Sequence, residues 1–246
     1  HWIVFDLNRG EVNEEGLLTY LRLPRQSPFY VTPRNDNRKR ASLEDHFRAV
    51  TPFPAIGSED AVIRESLLEV FRTSNQYQRY VGVLEQKFVR RMFAEAKLLN
   101  GDAAQAESHL SVLGAAAADA LNARVDIEFA RTNPRDLAPE EAVTLKVDVK
   151  NVDRMIVKVF EIDPVAYFDR FQRPVSSSLD LDGLVANETQ VLEFDAPPMR
   201  RVRRELQLDA LAKPGTYVVE LIGGGVSSRA VVVKGNLRLL ERMTAA

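Results

Sequence analysis

The stretch Ala118-Asp119-Ala120-Leu121-Asn122-Ala123-Arg124-Val125-Asp126-Ile127-Glu128-Phe129 decides the fold, because hydrophobic spacing changes rhythm inside it. Before it, Tyr77, Val81, Leu84, Phe88, Met92, Ala96 and Leu99 recur every three to four residues, the period of one helix face. Within it, Val125, Ile127 and Phe129 alternate with Arg124, Asp126 and Glu128, the period of a half-buried strand. Helices precede the switch and strands follow it. The small residues Ala115 to Ala118 run almost directly into the first strand, so the switch reads as a rigid joint rather than a flexible linker.

Working toward the N-terminus, Asn100-Gly101 stops a helix over Gln76 to Leu99, with Gly101 at the left-handed position after it. Asp102, with Gln105 three residues on, predicts a capping box opening a third helix through Leu121. So short a connection predicts an antiparallel helical hairpin. Earlier, Ser58 is placed to cap a helix bearing Ile63, Leu67, Val70 and Phe71 on one stripe, with Glu59 and Asp60 in its first turn. Residues 1–57 are irregular, carrying Pro24, Pro28, Pro33, Pro52 and Pro54 and a basic stretch from Arg34 to Arg40 read as an exposed loop. Trp2 to Phe5 and Phe29 to Val31 read as short strands, and Gly16 to Leu23 as a helical turn or strand.

Toward the C-terminus, strands are expected at about 123–131, 143–150, 154–162, 189–195, 200–208, 215–223 and 227–234. Asn151 to Arg154 reads as a tight hairpin, and Pro214-Gly215 and Gly223-Gly224-Gly225 as two further turns. Pro164 starts a short helix ending at Phe171. The expected fold is α+β: a helical region over 1–121, a seven-stranded antiparallel Ig-like sandwich over 122–236, and over 237–246 a tail that starts another element.

Composition bounds the function. The 246 residues, 45% hydrophobic, supply core enough for two modules. With 33 basic against 35 acidic residues, no general field draws nucleic acid or an anionic membrane. The absence of cysteine excludes disulfides, thiolate zinc sites and cysteine nucleophiles. No apolar run is long enough to span a bilayer. The chain opens on His1 without an initiating Met and reads as a piece of something longer. Its compartment is left open: a secreted or cell-surface setting suits a sandwich module, and a cytoplasmic one is equally compatible with zero cysteines.

No nucleophile elbow, Walker loop or dinucleotide fingerprint is present, and neither catalytic nor cofactor-binding residues are assigned. His1, His46 and His109 lie in separate elements without metal-ligand spacing. Ser178, Asp180 and Asp182 before Gly183 open like a calcium loop, but Thr189 stands where a closing Glu belongs. Asn187-Glu188-Thr189 is a sequon that makes Asn187 a glycan acceptor on a secretory route. Arg200, Arg201, Arg203 and Arg204 place four guanidinium groups within five residues on a strand. Alternation turns Arg201 and Arg203 to the solvent face and Val202, Arg204, Leu206 and Leu208 to the core face. This is either a charged edge strand protected from aggregation or a site for an acidic partner.

Leu211-Ala212-Lys213-Pro214-Gly215-Thr216-Tyr217 places a tyrosine just after a corner, where its hydroxyl can return to the upstream backbone. This Leu-x-x-x-Gly-x-Tyr pattern resembles the signature of macroglobulin-like domains, the sandwich modules of α2-macroglobulin and its bacterial relatives, over about Val143 to Gly235. Segments such as Val147 to Val152, Ile156 to Ile162, Leu179 to Asn187 and Ser227 to Ala230 are similar to parts of large multidomain proteins. The resemblance implies a modular fold with Pro214, Gly215 and Tyr217 as its structural corner, not a reaction; a thioester cysteine is absent.

The expected function is that of a non-catalytic structural or protein-interaction module of a larger protein, partnered by other proteins or by neighbouring domains. One alternative is a hydrolase or sugar-active module built on paired carboxylates. Another is a cytoplasmic helical adaptor using the hairpin at 76–121 as its partner face.

Overall fold

The computed structural model describes residues 1–22, 59–102, 104–195 and 198–235, which divide into two compact units, His1–Ala123 and Arg124–Ala246. The expected cap at Ser58, strand at Phe29 to Val31, basic stretch, His46 and C-terminal tail fall outside the described residues. No described helix is long and apolar enough to cross a membrane.

The helical unit contains α1 (Trp2–Asn8), α2 (Glu14–Leu21), α3 (Glu59–Thr73), α4 (Gln86–Leu99), α5 (Ala106–Leu113) and α6 (Ala115–Ala123). Its core joins Leu17 and Leu21 of α2, Ile63, Leu67 and Phe71 of α3, Tyr80, Leu84, and Val89 and Met92 of α4. Phe71 is the aromatic hub, edge-on to Tyr80 at 5.5 Å and to Phe93 at 5.4 Å. Arg79 pairs with Glu14 at 3.1 Å and with Glu15, and the Tyr80 hydroxyl donates to Glu14, which ties the segment before α4 to α2.

Three sequence expectations are corrected here. Residues Trp2 to Phe5 are helical, not a strand. The helix expected from Gln76 begins only at Gln86: residues 78–80 form a short 3-10 turn and Gly82 sits at φ +91°, outside helical backbone. Leu84 N–H nevertheless donates to Tyr80 O, so this turn puts Tyr80 and Leu84 on one side with the spacing of a helix. The third helix is two, broken at Gly114 with φ +79°. Its expected capping box is absent because Asp102 N–H donates to Lys97 O, finishing α4 with Gly101 left-handed; Gln105 then precedes α5 without a side-chain cap.

The second unit contains β1 (Asp126–Phe129), β2 (Asp136–Leu137), β3 (Thr144–Lys150), β4 (Arg154–Ile162), α7 (Pro164–Phe171), β5 (Glu188–Glu193), β6 (Val202–Gln207), β7 (Gly215–Gly223) and β8 (Val226–Lys234). They form a three-stranded sheet, β1-β3-β6, and a five-stranded sheet, β2-β8-β7-β4-β5. Every pairing is antiparallel except β2 with β8. The chain is thus α+β, but with eight strands among the described residues rather than seven. The unforeseen β2 has only two residues, too few to show a period. Asn151 to Arg154 is not a hairpin, since β3 and β4 belong to different sheets. Asn151, at φ 54°, turns the chain between them while its amide donates to Arg124 O.

One core unites Ile127, Leu145, Val147 and Val149 of the smaller sheet with Met155, Val157, Val219 and Leu221 of the larger. The other face of the larger sheet is covered as well. Asp163 caps α7 through Val165 and Ala166 N–H, and Tyr167, Leu179 and Leu181 of the excursion between β4 and β5 pack on Phe160 and Val218. Strand β7 is therefore buried continuously from Thr216 to Leu221 instead of alternating.

Candidate functional site

The arginine cluster lies at β6, an edge of the smaller sheet, opposite β3 in the register Arg203↔Asp148 and Leu206↔Leu145. Arg203 forks onto Asp148 with two bonds of 2.8 Å. Arg201 pairs with Glu128 and lies 3.7 Å from Asp148 and 3.9 Å from Asp126. Asp126 is buried and also held by Arg124 at 2.9 Å. Lys150 beside it is fully buried and donates to Arg124 O at 2.8 Å; desolvation holds its ammonium below the usual lysine pKa, against the pull of Asp126. Leu206 and Leu208 face the core as the alternation requires, but Arg204, expected on the same face, is exposed, as is Arg200. Arg201 and Arg203 are thus engaged by the sheet's own carboxylates, and the carboxylates gathered here, Asp126, Glu128 and Asp148, are each matched by arginine.

The remaining candidates are separated from this ladder in sequence and role. Asp180 accepts from Asp182 N–H at 2.9 Å, a turn-capping use, and the Ser176 and Ser178 hydroxyls bond at 2.8 Å. Between them Leu179 O accepts from Arg229, which is paired with buried Glu220 at 2.6 Å. Among the described residues no three His, Asp or Glu converge as metal donors. Asn187 is exposed, yet its side-chain oxygen accepts from Glu161 N–H at 2.7 Å and so docks the start of β5. His109 is buried edge-on to Phe93, 3.9 Å from Asp102.

At the corner, the Tyr217 hydroxyl donates to Lys213 O at 2.9 Å. A Cβ on Gly215 would stand 3.1 Å from the Tyr217 ring, which the glycine lets approach the backbone. Burial, then Glu161, pushes the phenol above its ordinary pKa. Sequence reasoning missed Lys234, buried here, whose ammonium donates to Leu211 O at 2.8 Å and Ala212 O at 3.1 Å. It missed two surfaces as well. Val165, Phe168 and Phe171 of α7 are exposed together with Leu184 and Val185. Lys87, Arg90 and Arg91 project from α4 along a groove; their spacing of three and four was the available signal.

Residues 1–125 match the family described as actin-binding protein F N-terminal domain, and residues 155–235 match the actin-binding protein F first immunoglobulin-like domain. Actin-binding protein F of Dictyostelium discoideum is 29% identical over 246 residues, 98% of this chain and 10% of that protein. The chain therefore spans about a tenth of the length of that relative. A solved structure of native α2-macroglobulin from Escherichia coli, spanning its domains MG0-NIE-MG1, is similar at a TM-score of 0.33 and 16% identity, over 45% of this chain and 39% of that one. On the match over its first 125 residues, the chain belongs to the family of actin-binding protein F N-terminal domains.

Proposed function

We propose that this chain is a non-catalytic interaction module of a longer polypeptide and that its partner is actin. The family match over residues 1–125, joined to an Ig-like domain over residues 155–235, carries the reading. The geometry agrees with it in a specific way. The clustered carboxylates Asp126, Glu128 and Asp148 are matched by arginines and leave no pair poised for acid–base chemistry. Of the apolar stripe Tyr77, Val81, Leu84 and Phe88, which an adaptor face would expose, Leu84 is buried in the helical core, Tyr77 and Phe88 pack against it, and Val81 alone is exposed. In this reading the domain boundaries are 1–121 and 122–236, and the sandwich is of macroglobulin-like type with its corner at Pro214, Gly215 and Tyr217.

Co-sedimentation with actin filaments tests it. The chain is expected to pellet with filaments in a saturable, salt-sensitive manner. A chain that stays in the supernatant at filament concentrations up to about 50 μM, a free energy near −6 kcal/mol, would refute actin as the partner.

A further inference from the structure

We infer that the groove between α4 and α5 is a docking site for an acidic segment of a protein partner, held by Lys87, Arg90 and Arg91. The inference rests on reading the chain as an interaction module and names the surface that reading leaves open. The three residues occupy positions i, i+3 and i+4 of α4, all exposed, and line a groove of about 360 Å³ with Gln86 of α4 and Ser111 and Val112 of α5. None of the groove's lining residues is acidic.

The decisive observation is a contrast within the helical unit. Every other basic side chain described there has a partner. Arg9 pairs with Glu11, Arg64 lies over Phe88, Arg72 pairs with Glu69, Arg79 pairs with Glu14 and Glu15, Lys97 donates to Asn75, and Arg22 is also engaged. Lys87, Arg90 and Arg91 have neither an ion pair nor a hydrogen bond among the described residues, although the chain carries a net charge of −2 and acidic side chains outnumber basic ones. Lys87 repels Arg90 and Arg91, three and four residues further along the helix, by a few tenths of a kcal/mol each. An anionic partner removes that repulsion, and the positive end of the α4 dipole adds to the attraction.

The surroundings choose the class of anion. Single-stranded nucleic acid needs an open aromatic platform, but the neighbouring Phe88 ring is half-buried under the Arg64 guanidinium at 5.4 Å. A membrane surface would need exposed apolar residues beside the cations, and the groove contributes only the half-buried Val112. A polypeptide segment bearing Asp and Glu matches three cations strung along about one helical turn.

The test uses the whole chain and a fluorescein-labelled peptide of alternating Glu and Asp, followed by fluorescence anisotropy. Reversal of the three charges in Lys87→Glu/Arg90→Glu/Arg91→Glu should weaken binding about tenfold or more and flatten its salt dependence, with the far-UV circular dichroism unchanged. The neutral variant Lys87→Gln/Arg90→Gln/Arg91→Gln should fall between. The control Arg200→Glu/Arg204→Glu, on exposed cations of the other unit, should bind like the parent. Peptide binding within about twofold of the parent in the triple reversal, or equal loss in the control, overturns the site. Tighter binding of an oligouridylate or of phosphatidylserine vesicles, lost in the same variant, overturns the assignment to acidic polypeptide. Filament pelleting separates the two proposals: pelleting without peptide binding sinks the groove and leaves the actin reading standing, and peptide binding without pelleting does the reverse.

Discussion

At the scale of single residues, the corner at Tyr217 shows how one hydroxyl is placed to matter. The phenol donates to Lys213 O while the Lys234 ammonium serves Leu211 O and Ala212 O, so consecutive carbonyls of a tight turn all find donors away from water. Tyr217→Phe keeps the ring and removes only the donor. It should lower stability by about 1 kcal/mol, read from the urea midpoint at constant slope. The fork between Arg203 and Asp148 is better formed and yet worth less. Arg203 is nearly half exposed, and Asp148 keeps Arg201 at 3.7 Å when Arg203 is removed. Arg203→Ala is therefore expected to cost no more than about 0.5 kcal/mol, and a loss larger than that of Tyr217→Phe would show that this ladder is not solvent-screened. Tyr217 was visible in the sequence because its partner lies four residues away. Lys234 was not, because its partners lie more than twenty residues upstream.

At the scale of elements, the β7–β8 hairpin separates what a local pattern can reveal from what it cannot. Gly223 pairs with Val226 across a two-residue loop, and Gly224 and Gly225 both have positive φ, the requirement of a type I′ turn. The turn was legible from three consecutive glycines; the separate duties of those glycines were not. A Cβ at Gly225 meets nothing within 4 Å, so Gly225→Ala bears only the left-handed backbone cost, about 1–2 kcal/mol. A Cβ at Gly223 would stand 2.7 Å from Arg154 O and 2.8 Å from Val152 Cγ1, atoms brought there by the sheet pairing. Since a backbone oxygen cannot step aside, Gly223→Ala should cost about 2–3 kcal/mol despite its ordinary φ, and thermal denaturation of the two variants checks the order. The same division explains the helices. Helical spacing around Tyr77 to Leu99 was read as a buried stripe, and apart from the exposed Val81 its members are packed, but a turn held by Leu84 N–H on Tyr80 O reproduces that spacing without being a helix. The arginines of β6 were legible as a charged edge, whereas their neutralisation by Asp126, Glu128 and Asp148 depends on a strand register that local sequence does not encode.

At the scale of the whole molecule, burial has moved three titrations in ways that add up to a definite alkaline response. Desolvation, then Glu14, pushes the Tyr80 phenol far above its ordinary value, and burial raises Tyr217 in the same sense. Each remains protonated in the folded chain when the unfolded chain has released its proton. The native state then holds the extra proton, so stability declines as pH rises beyond about 10, the unfolded tyrosine value. Lys150 acts oppositely. Its pKa is lowered on folding, so between its folded value and the unfolded value near 10.4 the unfolded chain binds more protons and stability rises with pH. The lysine contribution saturates near the unfolded lysine value, while the tyrosine contribution grows until the folded phenols ionise, and Tyr80 carries the largest displacement. A rise that ends near the unfolded lysine value, overtaken by a fall that sets in beyond about pH 10, is therefore expected in the urea midpoint. Tyr80→Phe should flatten the fall while lowering stability at neutral pH by the bond to Glu14, about 1 kcal/mol. Lys150→Met, which keeps length and removes the charge, should abolish the preceding rise. An alkaline slope unchanged in Tyr80→Phe would mean that the phenol reaches water in the folded chain, contradicting its complete burial against Phe71.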